Sequence, residues 1–331
     1  MSALQPAASV SAPTTRLIRG PFNVGAGEPL LPKGCVATIG NFDGLHRGHQ
    51  AVMEQLKSVA HDVKLPSAVV LFEPQPSEFL CPDQAPPRIM GLREKFQGLR
   101  AVGMDHVLVL RFFAALSAMG AESFARRILI HGLGARHLVV GDDFRFGKDR
   151  SGDFHLLRRM GEAHGFAVER MRTFDLDGER VSSTRVRAAL AAGEYDEARR
   201  LLSRPFRIHG RVIHGGKLGR EIGFPTINIP MHRHRSPVSG IFAARVYGEG
   251  LDERGHPGVG YVGRRPTVRG LNECLEVHLF NYSGHLYGLR LGVELQRHLR
   301  EDRHFDSIQA MTAQIQRDAD AARHYFENQH E

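Results

Sequence analysis

Near residue 205 the chain changes its period, and that change constrains the fold more than any single motif does. From about residue 34 to 180, short apolar runs alternate with amphipathic stretches. "GCVATIG", "SAVVLFEP", "HVLVLRF" and "HLVVGDDF" are short, apolar and bounded by turn residues. Between them, "HRGHQAVMEQLKSVAHDV" places Val52, Met53, Leu56, Val59 and Val63 at helical spacing, and "LREKFQGLRAVG" does the same with Leu92, Phe96, Leu99 and Val102. "ESFARRILIHGL" and "LLRRMGEAHGF" continue the helical pattern. Strands alternating with helices predict an α/β domain: a Rossmann-like parallel sheet with helices on both faces, binding ligands beyond the carboxyl ends of its strands.

After residue 205 the runs "FRIHGRVIHGG", "GIFAARVYGEG", "GVGYVGRRPTV", "LEVHLFNY" and "LYGLRLGVELQRHLR" are β-rich and divided by glycine turns. They predict a small antiparallel barrel, followed by a C-terminal helix in "FDSIQAMTAQIQRDADAARHYFENQ". The reading gives a disordered tail over 1–15, a first domain over 16–186, a helical linker over 187–204 and a second domain over 205–331. At 331 residues the chain is long enough for two cores.

Composition narrows the partners. Lys plus Arg outnumber Asp plus Glu by 44 to 36, a net charge of +8, which favours anions such as nucleotides and phosphates. A solvated basic surface explains the same number. A nucleic-acid-binding protein is disfavoured, because Trp is absent and no basic-aromatic stripe occurs. No run of 18 apolar residues and no secretory pattern is present, so a membrane partner is not expected. Three scattered cysteines without a CxxC argue against a disulfide framework or a structural zinc and fit a reducing cytoplasm. Oligomeric state is not readable.

The stretch "TIGNFDGLHRGHQ" lies where a strand passes into a helix. Gly40 and Gly44 permit a tight turn. His46 and His49, three apart, share one face of the first helical turn, near its free N–H groups and positive dipole end. That arrangement suits a phosphate chain and the charge developing on a leaving pyrophosphate. A metal site competes but lacks a third clear ligand. The stretch resembles the HxGH signature of the nucleotidyltransferase superfamily. "VSSTRVR", with Ser182 and Ser183 able to cap a helix and Arg185 and Arg187 able to meet phosphate, fits the second phosphate-binding element of that signature. An ordinary capped helix start would look the same in isolation.

"LFEPQP", "VGDDFRFGKDRSGD", the run from Gly263 through Arg264, Arg265 and Pro266, "GKLGREIGFPTINI" and "LEVHLFNYSGHLYG" follow in order. Together the set resembles the bifunctional bacterial riboflavin kinase/FAD synthetase family over about residues 15 to 327. The resemblance implies two reactions, both using ATP and Mg²⁺. The C-terminal half would phosphorylate riboflavin to FMN, and the N-terminal half would transfer adenylyl from ATP to FMN, giving FAD and pyrophosphate. Riboflavin, FMN and FAD are then substrates and products.

It also implies roles. Gly40, Asn41, Phe42 and Asp43 would line the nucleotide turn, His46 and His49 would hold the ATP phosphates, and Ser183, Thr184 and Arg185 would close on the triphosphate. Asp143, Phe144 and Phe146 lie in the flavin-proximal segment. In the second half Gly215, Gly216, Lys217 and Gly219 would form a basic flap, Thr226 and Asn228 would ligate Mg·ATP, and Glu276 would be the catalytic base. Without the resemblance, Glu276 reads as an exposed strand glutamate. Three departures stand out: Gln75 for a common histidine, Tyr261 for a frequent asparagine, and Asn281–Tyr282 for an acidic-aromatic pair. An HxGH nucleotidyltransferase with another phosphate acceptor is the alternative.

Overall fold

The computed structural model describes residues 14–20, 28–141, 143–215, 218–233, 235–267 and 270–328, and the side chains of 20, 218, 264–267 and 270–272 are left aside. The expected tail therefore lies outside the described residues except for Thr14 and Thr15. The chain divides into two compact units. One comprises 1–42, 49–80 and 96–173, the other 43–48, 81–95 and 174–331.

The first unit is an α/β sheet. Its strands are β1 (Arg16–Gly20), β2 (Cys35–Ile39), β3 (Ser67–Glu73), β4 (His106–Arg111), β5 (Ala135–Val140) and β6 (Ala167–Arg170). They run in the order β1-β4-β3-β2-β5-β6, and every pairing is parallel. All five residues of β2 are buried, as a strand covered on both faces must be. Helices α1 (Arg47–Asp62), α2 (Pro76–Leu80), α3 (Leu92–Ala101), α4 (Ala114–Ser117), α5 (Ala121–Phe124) and α6 (Phe154–His164) intervene along the chain. Successive strands build the sheet outward on one side of β2 and then on the other. The order reverses between β2 and β5, and the crevice above such a reversal is where open parallel sheets bind ligands.

Two details depart from the periodicity. Val63 lies beyond the end of α1 and is 46% exposed, because the helix stops at Asp62 and Lys64 turns left-handed (φ 54°). The run after Ala121 begins as α5 and continues over Ala125–Leu133 as a π-helix, which α-helical spacing does not anticipate.

The second unit opens with a two-stranded hairpin, β7 (Asp175–Leu176) and β8 (Glu179–Arg180), and helices α7 (Ser183–Ala191) and α8 (Tyr195–Leu202). A six-stranded antiparallel sheet follows: β9 (Arg207–Arg211), β10 (Ile227–Pro230), β11 (Gly240–Tyr247), β12 (His256–Thr267), β13 (Gly270–Leu279) and β14 (Arg290–Arg300), in the order β10-β13-β12-β11-β14-β9. A bridge between Ile213 and Asn228 joins the two ends, so the sheet is nearly a closed barrel. A short helix, α9 (Leu218–Glu221), precedes β10, and α10 (Ile308–Glu327) closes the chain. One face of the sheet packs Leu275, Val277, Val262 and Phe242 with Leu190, Leu201 and Leu202 of α7 and α8. The other packs Ile241, Ala243 and Val259 under Ala319, Ala322 and Phe326 of α10.

Candidate active sites

In the first unit the carboxyl end of β2 passes into the turn beginning at Gly40. The Gly40 amide donates to the Val70 carbonyl (3.2 Å), and a Cβ at Gly40 would stand 3.1 Å from the Phe42 ring. Glycine there lets Phe42 fold inward, and Phe42 meets the His49 ring edge to face at 5.2 Å. Asn41 is exposed beside them. At the end of β5, Asp143 is exposed and the Phe144 amide returns to the Gly141 carbonyl (3.1 Å). Phe144 stacks on Phe146 at 5.3 Å, and Phe146 is buried against Phe124. Phe144 is thus the partly accessible member of this pair, and Phe146 its anchor in the core. Gln75, beyond β3, is buried. Its amide Nε2 has no hydrogen-bond partner among the described residues.

In the second unit residues 43–48 gather around α7. Asp43 is 2% exposed, and its carboxylate accepts from the amides of Ile89 (2.9 Å) and Met90 (3.0 Å) and from the Arg187 guanidinium (2.8 Å). Its carboxylate therefore fastens the turn. The Ser183 hydroxyl donates to the Asp43 carbonyl (2.9 Å), while Ser182 caps α7 by accepting from the Arg185 amide (3.2 Å). Gly48 explains the glycine between the two histidines: a Cβ there would lie 3.1 Å from the Val181 carbonyl and 3.2 Å from the His46 ring.

His46 is 3% exposed. Burial pushes its pKa down, opposed by Asp43 and reinforced by Arg187, Arg180 and Arg204, to about 4. The imidazole is neutral at physiological pH and lies in the field of Arg187, Arg180 and Arg204. Asp43, His46, Ser183 and Arg187 are thus brought together. Arg185 is not with them: it pairs with Glu197 (2.7 Å) and donates to the Leu176 carbonyl (3.2 Å). Thr184 is exposed.

The sheet of the second unit carries the other set. Asn228 of β10 stands opposite Glu276 of β13, and Glu276 stands opposite Tyr261 of β12. Residues opposite in register share a face, so the three form one row across three strands. Glu276, 8% exposed, lines a cavity of about 310 Å³ with Thr226, Tyr261, Val259, Phe224, Phe305 and Met311 among its walls. A polar row at the edge of an apolar chamber can orient one reactive hydroxyl of a flat apolar ligand.

The Asn228 amide donates to the Thr226 carbonyl (3.3 Å), and a Cβ at Gly215 would overlap the Asn228 side chain at 2.4 Å. A Cβ at Gly219 would likewise strike the Phe224 carbonyl at 2.4 Å. Lys217 and Gly216 lie outside the described residues. Sequence reasoning missed Asp302, which accepts from the Tyr261 hydroxyl at 2.7 Å, and the arginines Arg180 and Arg204 around His46. The basic excess was the only signal for the arginines, and nothing in the sequence points to Asp302.

Comparison with known proteins also divides the chain in two, at a boundary different from that of the compact units. The FAD synthetase family model matches residues 29–185, and the riboflavin kinase model matches residues 202–326. A bifunctional riboflavin kinase/FMN adenylyltransferase from Pseudomonas fluorescens is 48% identical over 93% of this chain and 97% of its own. The chain belongs to the bifunctional riboflavin kinase/FMN adenylyltransferase family. The Escherichia coli K12 member is 46% identical over 94% of this chain and 98% of its own. Among solved structures, one described as a macrolide-efflux protein from Streptococcus pneumoniae shares the fold, with a TM-score of 0.70 and 25% identity over 93% of this chain and 98% of that one. No helix among the described residues is long and apolar enough to cross a membrane.

Among the described residues no group of three or more His, Cys, Asp or Glu side chains could hold a metal ion. Side-chain oxygens lining the cavity include those of Thr226, Tyr261, Glu276, Asp302 and Asp318, and Asn228 stands beside Glu276 in register.

Proposed function

We infer that this chain makes FMN from riboflavin and ATP in its second half and FAD from FMN and ATP in its first. The Asn228–Glu276 pair, with Glu276 facing the apolar cavity, carries the kinase assignment. Riboflavin would place its ring system in the cavity and its 5′-hydroxyl at Glu276. The carboxylate accepts the hydroxyl proton, the oxygen bonds to the γ-phosphorus, and ADP departs. General-base action of this kind is worth about 10²- to 10⁴-fold in rate.

The donor set fits Mg²⁺, which takes few protein oxygens and otherwise water and phosphate. Thr226 and Asn228 would hold it, and the Gly215 backbone leaves Asn228 the room a Cβ would fill. The ion supplies neutralisation of the transferring phosphoryl charge.

For adenylyl transfer, an FMN phosphate oxygen bonds to the α-phosphorus of ATP and pyrophosphate leaves. The roles assigned are His46 and His49 as N–H donors to the phosphates, with Arg180, Arg187 and Arg204 supporting the charge from behind His46. Ser183, Thr184 and Arg185 open α7 at its positive end, and Arg185 would exchange Glu197 for phosphate. Gly40, Asn41 and Phe42 line the nucleotide turn, and Asp143 and Phe144 face the flavin, with Phe146 behind. We assign adenylyl transfer to 16–186, a linker to 187–204 and kinase chemistry to 205–331. The family-model boundaries support that division. We place both reactions in the cytoplasm, where the thiols of Cys35, Cys81 and Cys274 stay reduced.

The test is a time course of riboflavin with excess ATP and Mg²⁺, the flavins separated by chromatography. FMN should rise first and give way to FAD. FMN alone would restrict the chemistry to the barrel. No flavin turnover by folded protein would favour another phosphate acceptor.

A further inference from the structure

The wall of the cavity opposite the sheet is not a regular element. Between β14 and α10 the chain runs through Glu301, Asp302, Arg303, His304, Phe305 and Asp306 without helix or strand, yet Asp302, Arg303 and Phe305 all line the cavity. The segment is organised from within and from α10: the Arg303 guanidinium lies over the Phe305 ring at 4.9 Å and donates to the Gln314 side chain of α10, and Arg300 lies over the same ring at 5.8 Å. The near end is fixed because Arg300 pairs with Asp318 of α10 through two bonds of 2.8 and 2.6 Å. The segment reaches the sheet face through the Tyr261 hydroxyl, which donates to the Asp302 carboxylate at 2.7 Å.

We propose that the Tyr261–Asp302 hydrogen bond holds the 301–306 segment as a preformed wall of the flavin cavity, making Tyr261 a positioning residue that sets riboflavin affinity. The inference rests on reading the cavity as the riboflavin site. Tyr261 is suited to the task by its place. It stands opposite Glu276 in register, so its ring lies on the cavity face beside the reacting carboxylate while its hydroxyl crosses to the far wall. An asparagine at 261 has the donor but not the length to make that crossing.

An irregular wall left untethered must be ordered each time a ligand binds, and that ordering cost appears in affinity. A hydroxyl-to-carboxylate bond is charge-assisted and among the stronger kinds. Asn228 does not line this cavity whereas Thr226 does, so the loss falls mainly on the flavin and only slightly on ATP.

The experiment compares full-length wild type with Tyr261→Phe, Asp302→Ala and the double variant. Riboflavin KM and kcat, ATP KM, and separately the conversion of supplied FMN to FAD are measured. Each single change should raise riboflavin KM about five- to tenfold, with kcat unchanged and ATP KM altered by at most about twofold. The double variant should be no worse than either single, because both remove one bond. FMN-to-FAD conversion should stay at the wild-type rate and so report a folded chain. Tyr261→Asn should match Tyr261→Phe or exceed it. An unchanged riboflavin KM in either single variant, or additive losses in the double, would overturn the proposal. A wild-type chain that makes no FMN would instead sink the cavity assignment on which it rests.

Discussion

Asn228 and Glu276 stand directly opposite each other across β10 and β13, forty-eight residues apart in sequence and neighbours in register. That pairing puts an amide, a candidate cation ligand, beside the carboxylate that faces the cavity. The Cys274 thiol approaches Glu276 Oε1 from the same strand face at 3.8 Å.

Replacing Glu276 with Gln removes the proton acceptor and keeps the shape. Riboflavin phosphorylation should fall about 10²-fold or more. Supplied FMN should still become FAD at the wild-type rate. Chromatographic assay of each half-reaction checks this, and equal loss of both would contradict the division of labour.

His49 packs edge to face on Phe42, and its replacement by Ala leaves the turn's glycine and Asp43 contacts in place. Riboflavin should still give FMN, which should accumulate because its adenylylation drops about 10²- to 10³-fold. Circular dichroism should show a wild-type spectrum.

His46 gives a pH prediction. Its pKa is lowered from 6.5 to about 4 in the folded chain, so between those values the unfolded chain holds the proton and the folded chain does not. Stability from this residue is present above pH 6.5 and is lost as pH falls toward 4. The full loss is about 3 kcal/mol. An NMR titration should place the His46 midpoint near 4, and added inorganic triphosphate should raise it, because the bound anion favours the imidazolium.

Glu94 works in the same direction lower on the scale. Burial would push its carboxyl up, but Arg233, the His209 side chain and the amides of His209 and Gly91 outweigh it and hold it at about 2. Its contribution is present above pH 4.5 and lost as pH falls toward 2. Urea midpoints of wild type should decline over that window, and Glu94→Gln should flatten the decline while lowering the midpoint at pH 7.

Asp43 and Arg187 form a pair in which the carboxylate is 2% and the guanidinium 17% exposed. Removing one partner leaves the other charge uncompensated. Asp43→Asn should cost about 3 kcal/mol in urea unfolding. A double variant with Arg187→Met should recover part of that loss, which a thermodynamic cycle would measure.

The layers of the fold were legible because helix and strand periods are local. The alternation up to residue 180 announced the parallel sheet, and the glycine-divided runs announced the barrel. The π-helical continuation at Ala125–Leu133 was not legible, since its apolar pattern also fits an α-helix. Among the candidate site residues, the two histidines and Ser182 were visible from spacing and capping chemistry. The inward role of Asp43 was not, because its partners Ile89, Met90 and Arg187 are 46, 47 and 144 positions away. The neutrality of His46 was hidden for the same reason: it follows from burial and from arginines contributed by distant segments. Tyr261 was visible as a departure, but its partner Asp302 lies 41 residues on in an irregular segment with no periodic signal.

We propose that the two reactions run at separate sites on this chain and that FMN passes between them through solution. The most direct measurement mixes equal amounts of the His49→Ala and Glu276→Gln variants with riboflavin, ATP and Mg²⁺, and follows FAD. Alone, the first should stop at FMN and the second should leave riboflavin unchanged. Together they should make FAD, the first supplying FMN and the second adenylylating it. FAD from riboflavin with either variant alone, or none from the mixture, would contradict the account.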